Sequence, residues 1–125
     1  MVKQTRNNNV ETSNVKKEKK NDFRMISCLL DNFSKDQCFV LANNYLTPEI
    51  IGVFKDNELK ECIDILIKTN LNVNEASKNL FMHRNTLLHR IDKIESITGY
   101  NLKVFDDAVT LLVMEAIYDK TKDLL

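Results

Sequence analysis

From residue 23 onward, hydrophobic positions recur at intervals of three and four along nearly the whole chain, a period that predicts helices. Phe23, Ile26, Leu29, Leu30 and Phe33 form the first stripe. Ser34 and Gln37 have capping-box spacing and open a second helix, with Cys38, Leu41, Ala42 and Tyr45 on one face. Thr47-Pro48-Glu49 is a third start, with Thr as cap and Pro in the first turn, and it leads into a short apolar segment at 50–54. Asp56 caps a fourth helix, whose stripe is Leu59, Cys62, Ile63, Leu66 and Ile67 and whose end is expected near Thr69-Asn70. Asn72 and Glu75 offer a further capping box for a short helix carrying Ala76 and Leu80. A tight connection at 81–83 precedes a long helix over 84–98, with Gly99 placed for a left-handed cap. The last helix, about 104–120, is apolar on more than one side, as a buried helix or a partner surface would be. The expected fold class is all-α, with no strand and no repeat.

Composition agrees with helices, since only two Gly and one Pro occur in 125 residues. No apolar run approaches the ~18 residues of a membrane span, and the N-terminus, MVKQTRNNNVETSNVKKEKK, lacks the apolar centre of a secretory signal. Cys28, Cys38 and Cys62 are odd in number and not closely paired, which points to a reducing cytoplasm and buried free thiols. Net charge is zero, but residues 1–22 carry six basic and three acidic side chains, and the rest carry twelve and fifteen. A mildly acidic body leaves room for nucleic-acid binding only through a local basic patch.

Three segments are expected. Residues 1–22 read as a disordered polar arm, either a solvated tail or, through Lys16, Lys17, Lys19 and Lys20, a phosphate-contacting one. Residues 23–55 hold N-terminal helices suited to dimerisation, and 56–120 form the unit that carries chemistry.

That chemistry concentrates at residues 81–94, FMHRNTLLHRIDKI. On a helical wheel Leu87, Ile91, Ile94 and Thr98 line one side. Asn85, His89, Asp92 and Lys93 lie opposite, with Thr86, Arg90 and Arg84 on the edges. His83 and His89 are six apart and share no face, so they do not form a helical zinc pair. No nucleophile with a base and orienting group, and no glycine-rich phosphate loop, marks an enzyme. A solvated helix face would need no more than these charges. The short capped helix just before it, with small Ala76 and Ser77 where two helices cross, instead makes a helix-turn-helix. Its second helix belongs in the major groove. There Arg84 and Asn85 have the groups to fork onto guanine and adenine edges, while Thr86, Arg90 and Lys93 suit phosphates.

Residues 72–80 (NVNEASKNL), the stretch 81–94 above and Thr98-Gly99-Tyr100-Asn101-Leu102 resemble the C-terminal helix-turn-helix domain of PucR/CdaR-type bacterial transcriptional regulators. The similarity covers roughly 56–119. More distantly the segment is similar to the Fis-type domain of NtrC-like activators, which has Gly in the turn where this chain has Phe81. The resemblance implies an all-α, dimeric DNA-binding domain acting in transcription. It places His83, Arg84, Asn85, Thr86, His89 and Arg90 on the recognition-helix motif, and Lys93 joins them from the wheel.

The expectation is therefore a cytoplasmic homodimer that binds double-stranded DNA and regulates transcription. No cofactor, metal, membrane or small-molecule ligand is expected. The alternatives are a Fis-like architectural role and a helical protein-interaction module that keeps the motif without DNA contact.

Overall fold

The computed structural model describes residues 24–125. The expected polar arm at 1–22, and Phe23 of the first stripe, lie outside the described residues. Seven α-helices follow one another: α1 (Arg24–Leu30), α2 (Lys35–Tyr45), α3 (Pro48–Lys55), α4 (Asn57–Lys68), α5 (Val73–Asn79), α6 (Arg84–Thr98) and α7 (Phe105–Thr121). A 3₁₀ turn, Lys122–Leu124, follows α7, and there is no strand among the described residues. The fold is all-α, as the periodicity predicts.

The starts of α2, α3, α4 and α5 rest on the capping residues named from sequence. Ser34 Oγ accepts the Gln37 N–H at 3.1 Å, and the Ser34 N–H donates to Gln37 Oε1 at 2.8 Å, so the capping box closes in both directions. Thr47 Oγ1 accepts from Ile50 N–H ahead of Pro48, and Asp56 Oδ1 accepts from both Glu58 and Leu59 N–H. Asn72 Oδ1 accepts the Glu75 N–H at 3.0 Å, but this box is only half formed, because the Asn72 N–H is already given to the Thr69 carbonyl.

Two helices end in the same reversed turn. After α4, Leu71 N–H bonds the Leu66 carbonyl and Asn70 N–H that of Ile67, with Asn70 left-handed at φ +59°. After α5, Met82 N–H reaches the Ser77 carbonyl and Phe81 N–H that of Lys78, with Phe81 left-handed at φ +53°. Gly99, at φ +84°, closes α6 and donates to the Glu95 carbonyl.

Two sequence expectations need correction. The first helix was expected to run through Phe33 but stops at Leu30, since the Asn32 side chain donates to the Cys28 carbonyl and Phe33 N–H turns back to Leu30 before the Ser34 cap. Cys28 was expected to be buried and is exposed; α1 turns Leu30 inward instead, while Cys38 and Cys62 are buried as expected.

One continuous apolar core joins all seven helices. Leu30, Ala42, Val53, Ile63, Ala76, Ile91 and Leu111 are among its members. Helix α7 runs against α1 and α2 on one side and meets α3 and α4 on the other; α6 packs on α3, α4 and α5. Leu87, Ile91 and Ile94 have no exposed surface, so the inner stripe of α6 is seated in the core and its outer face is fixed in direction.

Candidate nucleic-acid interface

Helix α5 crosses α6 through Ala76, which is wholly buried, and Ser77, which is nearly so. A larger side chain at either position would push the helices apart, which is why the pair needs small residues. Ser77 Oγ also donates to the Asn74 carbonyl at 2.8 Å, which removes the one polar cost of burying it.

The turn between them sets the start of α6. His83 is the N-cap: its Nδ1 accepts the Asn85 N–H at 3.0 Å. With Nδ1 accepting, Nε2 is the ring's donor, and on this exposed ring it has no partner among the described residues. Arg84, the first helical residue, donates from Nε to Asn74 Oδ1 at 2.7 Å. Asn85, Thr86, His89 and Lys93 are all exposed along the same helix.

Arg90 is placed differently. It is only partly exposed, and its guanidinium turns toward α4, with Nη2 lying 3.7 Å from Glu58 Oε2. It also lies against the buried Cys62, whose thiol is pushed up by burial and so stays protonated. Arg90 thus links α6 to α4, and the structure does not gather it with the cations of the outer face. Asp92 is exposed and has no ion-pair partner among the described residues.

Asn74 is the residue that sequence reasoning missed. It lies beside a cap, Asn72, that absorbed the local polar pattern, and only the crossing of α5 over α6 brings it to Arg84. Its distance of ten residues from Arg84 carries no periodic signal.

Ionisable groups gather a second time in a cleft of about 470 Å³ between α1, α4 and α7. Glu115, buried, lies against Asp64, with Lys60 Nζ 3.9 Å from Glu115 and 2.9 Å from Asp119. Burial, and then the neighbouring Asp64, push the Glu115 carboxyl up to about 9. Its Oε2, the atom facing Lys60 Nζ, has no hydrogen-bond partner among the described residues while both acids are ionised. A proton held on Glu115 and donated to Asp64 resolves this. None of the seven predicted site residues reaches this cleft.

Comparison with known proteins bears on the first of these two places. Residues 59–116 match the PucR C-terminal helix-turn-helix domain, a span that takes in α5, the turn and all of α6. The chain is 33% identical over 49 residues to the purine catabolism regulatory protein of Bacillus subtilis, covering 39% of this chain and 9% of that protein. It is 34% identical over 91 residues to the carbohydrate diacid regulator of Escherichia coli, covering 71% of this chain and 23% of that protein. The chain thus spans less than a quarter of the length of either relative. No solved structure matches.

Proposed function

We propose, from the premise that residues 59–116 are a PucR-type C-terminal helix-turn-helix domain, that this chain is a cytoplasmic regulator of transcription that reads double-stranded DNA with α6. The observation that carries this is the outer face of α6: Arg84, Asn85, Thr86, His89 and Lys93 stand exposed on one helix whose inner stripe is locked in the core. Arg84 and Asn85 sit in the first turn, the part of a recognition helix that meets base edges, and their groups suit guanine and adenine. Thr86, His89, Lys93 and the Nε2 donor of His83 serve phosphates and set register. Arg90 supports the helix from behind through Glu58.

One recognition helix reads a short site, and two copies related by a two-fold axis read a paired one. The reading therefore includes a homodimer. It is supported by an apolar groove between α2 and α7, lined by Phe33, Leu41, Tyr45, Val109 and Val113.

Sequence selection tests the proposal. The full chain is incubated with a random duplex pool, bound DNA is amplified over several rounds, and binding of the selected duplex and of random duplex is followed by fluorescence anisotropy at two salt concentrations. A selected sequence that binds more tightly, with affinity falling steeply as salt rises, is expected. Lys93→Ala is expected to weaken both duplexes alike and reduce the salt slope by about one. Absence of any complex at low salt would overturn the proposal in favour of a helical protein-interaction module. Tight binding without an enriched sequence would leave an architectural, shape-reading protein.

A further inference from the structure

Asn74 is the second residue of α5, exposed, and free of the usual duties of a polar residue near a helix start. Asn72 caps the helix, and Ser77 holds the Asn74 backbone carbonyl. The Asn74 side chain reaches instead to the first residue of the next helix, where Oδ1 accepts the Arg84 Nε–H at 2.7 Å. An arginine offers only donors, so the amide oxygen must face it and Nδ2 must face away. Bonding at Nε leaves both terminal nitrogens of Arg84 without a partner among the described residues, and these form a pair whose spacing matches guanine O6 and N7.

We infer that Asn74 positions Arg84 for base reading, holding the guanidinium by Nε so that its two terminal nitrogens are presented together to a guanine edge. The inference rests on the proposed reading of DNA by α6. A free arginine side chain samples many rotamers and gives most of them up on binding; one already held gives up fewer. The clamp therefore acts on discrimination between sequences, which depends on the guanidinium's orientation, more than on attraction to the backbone, which depends on its charge.

The test compares full-length variants on the selected duplex, on the same duplex with its preferred guanine changed to adenine, and on random duplex. Asn74→Ala is expected to reduce preference for guanine by about three- to tenfold, with random-duplex affinity and thermal melting unchanged. Asn74→Asp keeps an acceptor for Nε but adds a negative charge; it is expected to weaken all three duplexes and retain the preference. In an Arg84→Ala background, Asn74→Ala is expected to change the preference no further, as coupled residues require. If the wild-type chain discriminates and Asn74→Ala discriminates equally well, the inference falls and the proposed function stands. If Asn74→Ala and Asn74→Asp lose affinity alike on every duplex with preference intact, Asn74 is a phosphate contact and the inference falls. A wild-type chain with no preference at all overturns both.

Discussion

Phe81 holds a φ of +53° and leaves 96% of its surface in water. A left-handed backbone costs a residue with a Cβ about 1–2 kcal/mol, and this ring gains no burial in return. Phe81→Gly should therefore raise stability by about 0.5–1 kcal/mol, the relief being partly offset by glycine's larger freedom when unfolded. A melt followed by circular dichroism should show a Tm higher by a few degrees; a lower Tm would mean that the ring stabilises the turn. Two residues on, His83 stabilises α6 by one bond to the Asn85 N–H. His83→Ala should cost about 1 kcal/mol in urea unfolding, and His83→Ser, a good cap with no imidazole, should recover most of it. The serine variant also separates the two roles given to His83: stability should return while any phosphate contact from Nε2 stays lost, so binding recovers less than folding does. Equal stability of the alanine variant and the parent would remove the capping role.

Between elements, the joint most exposed to solution conditions is that of α4 and α7, where Asp64 meets Glu115. The folded chain holds a proton on Glu115 to about pH 9, whereas the unfolded chain releases it near the ordinary value of 4.5. Folding at neutral pH thus takes up a proton. This contribution to stability is complete below pH ~4.5, declines as pH rises through the interval, and is gone once pH passes the folded value. Burial raises Asp64 as well, which acts in the same direction. Glu115→Gln keeps a donor for Asp64 and removes the titration. It should be more stable than the parent at pH 8, by on the order of 1–3 kcal/mol, and should lose less between pH 5 and pH 8. Urea midpoints at the two pH values decide it; identical slopes would show that Glu115 is ionised in the folded chain. Nothing in the sequence marked this pair, since Asp64 and Glu115 lie 51 positions apart and meet only by helix packing. The helices themselves were legible because their information is local: Ser34, Thr47, Asp56, Asn72 and Gly99 all act within four residues of where they stand. The candidate face on α6 was legible to the same depth. The wheel separates Leu87, Ile91 and Ile94 from the polar face, but it cannot tell that Arg90 turns back to Glu58 or that Asn74 meets Arg84, because both partners come from other helices.

At the scale of the whole molecule the question is what covers the far side. Helices α2 and α7 pack closely yet leave Tyr45 more than half exposed on a groove of about 420 Å³ whose walls are almost wholly apolar, and Val40, equally exposed, lines a second hollow that shares Phe33 and Leu41 with it. Scattered exposed apolar residues are ordinary, but a contiguous groove of them, continuous with Phe33 at one end, is the kind of surface that a partner covers. Under the proposed reading of paired half-sites that partner is a second copy, because two copies of α6 would have to be held about 34 Å apart or a multiple of it. A second copy seated on α2 and α7 leaves α6, which packs on α3, α4 and α5, uncovered for DNA. Sedimentation velocity at micromolar concentration should then give a species of about twice the 14.5 kDa chain mass. Val40→Lys with Tyr45→Lys, both at exposed positions, should convert it to monomer without lowering the melting temperature of a dilute sample. On the selected duplex the monomeric variant should protect one half-site and bind with markedly lower affinity, while its preference for the bases within that half-site stays the same. A parent chain that sediments as a monomer, or a lysine variant that remains a dimer, would move the interface away from α2 and α7.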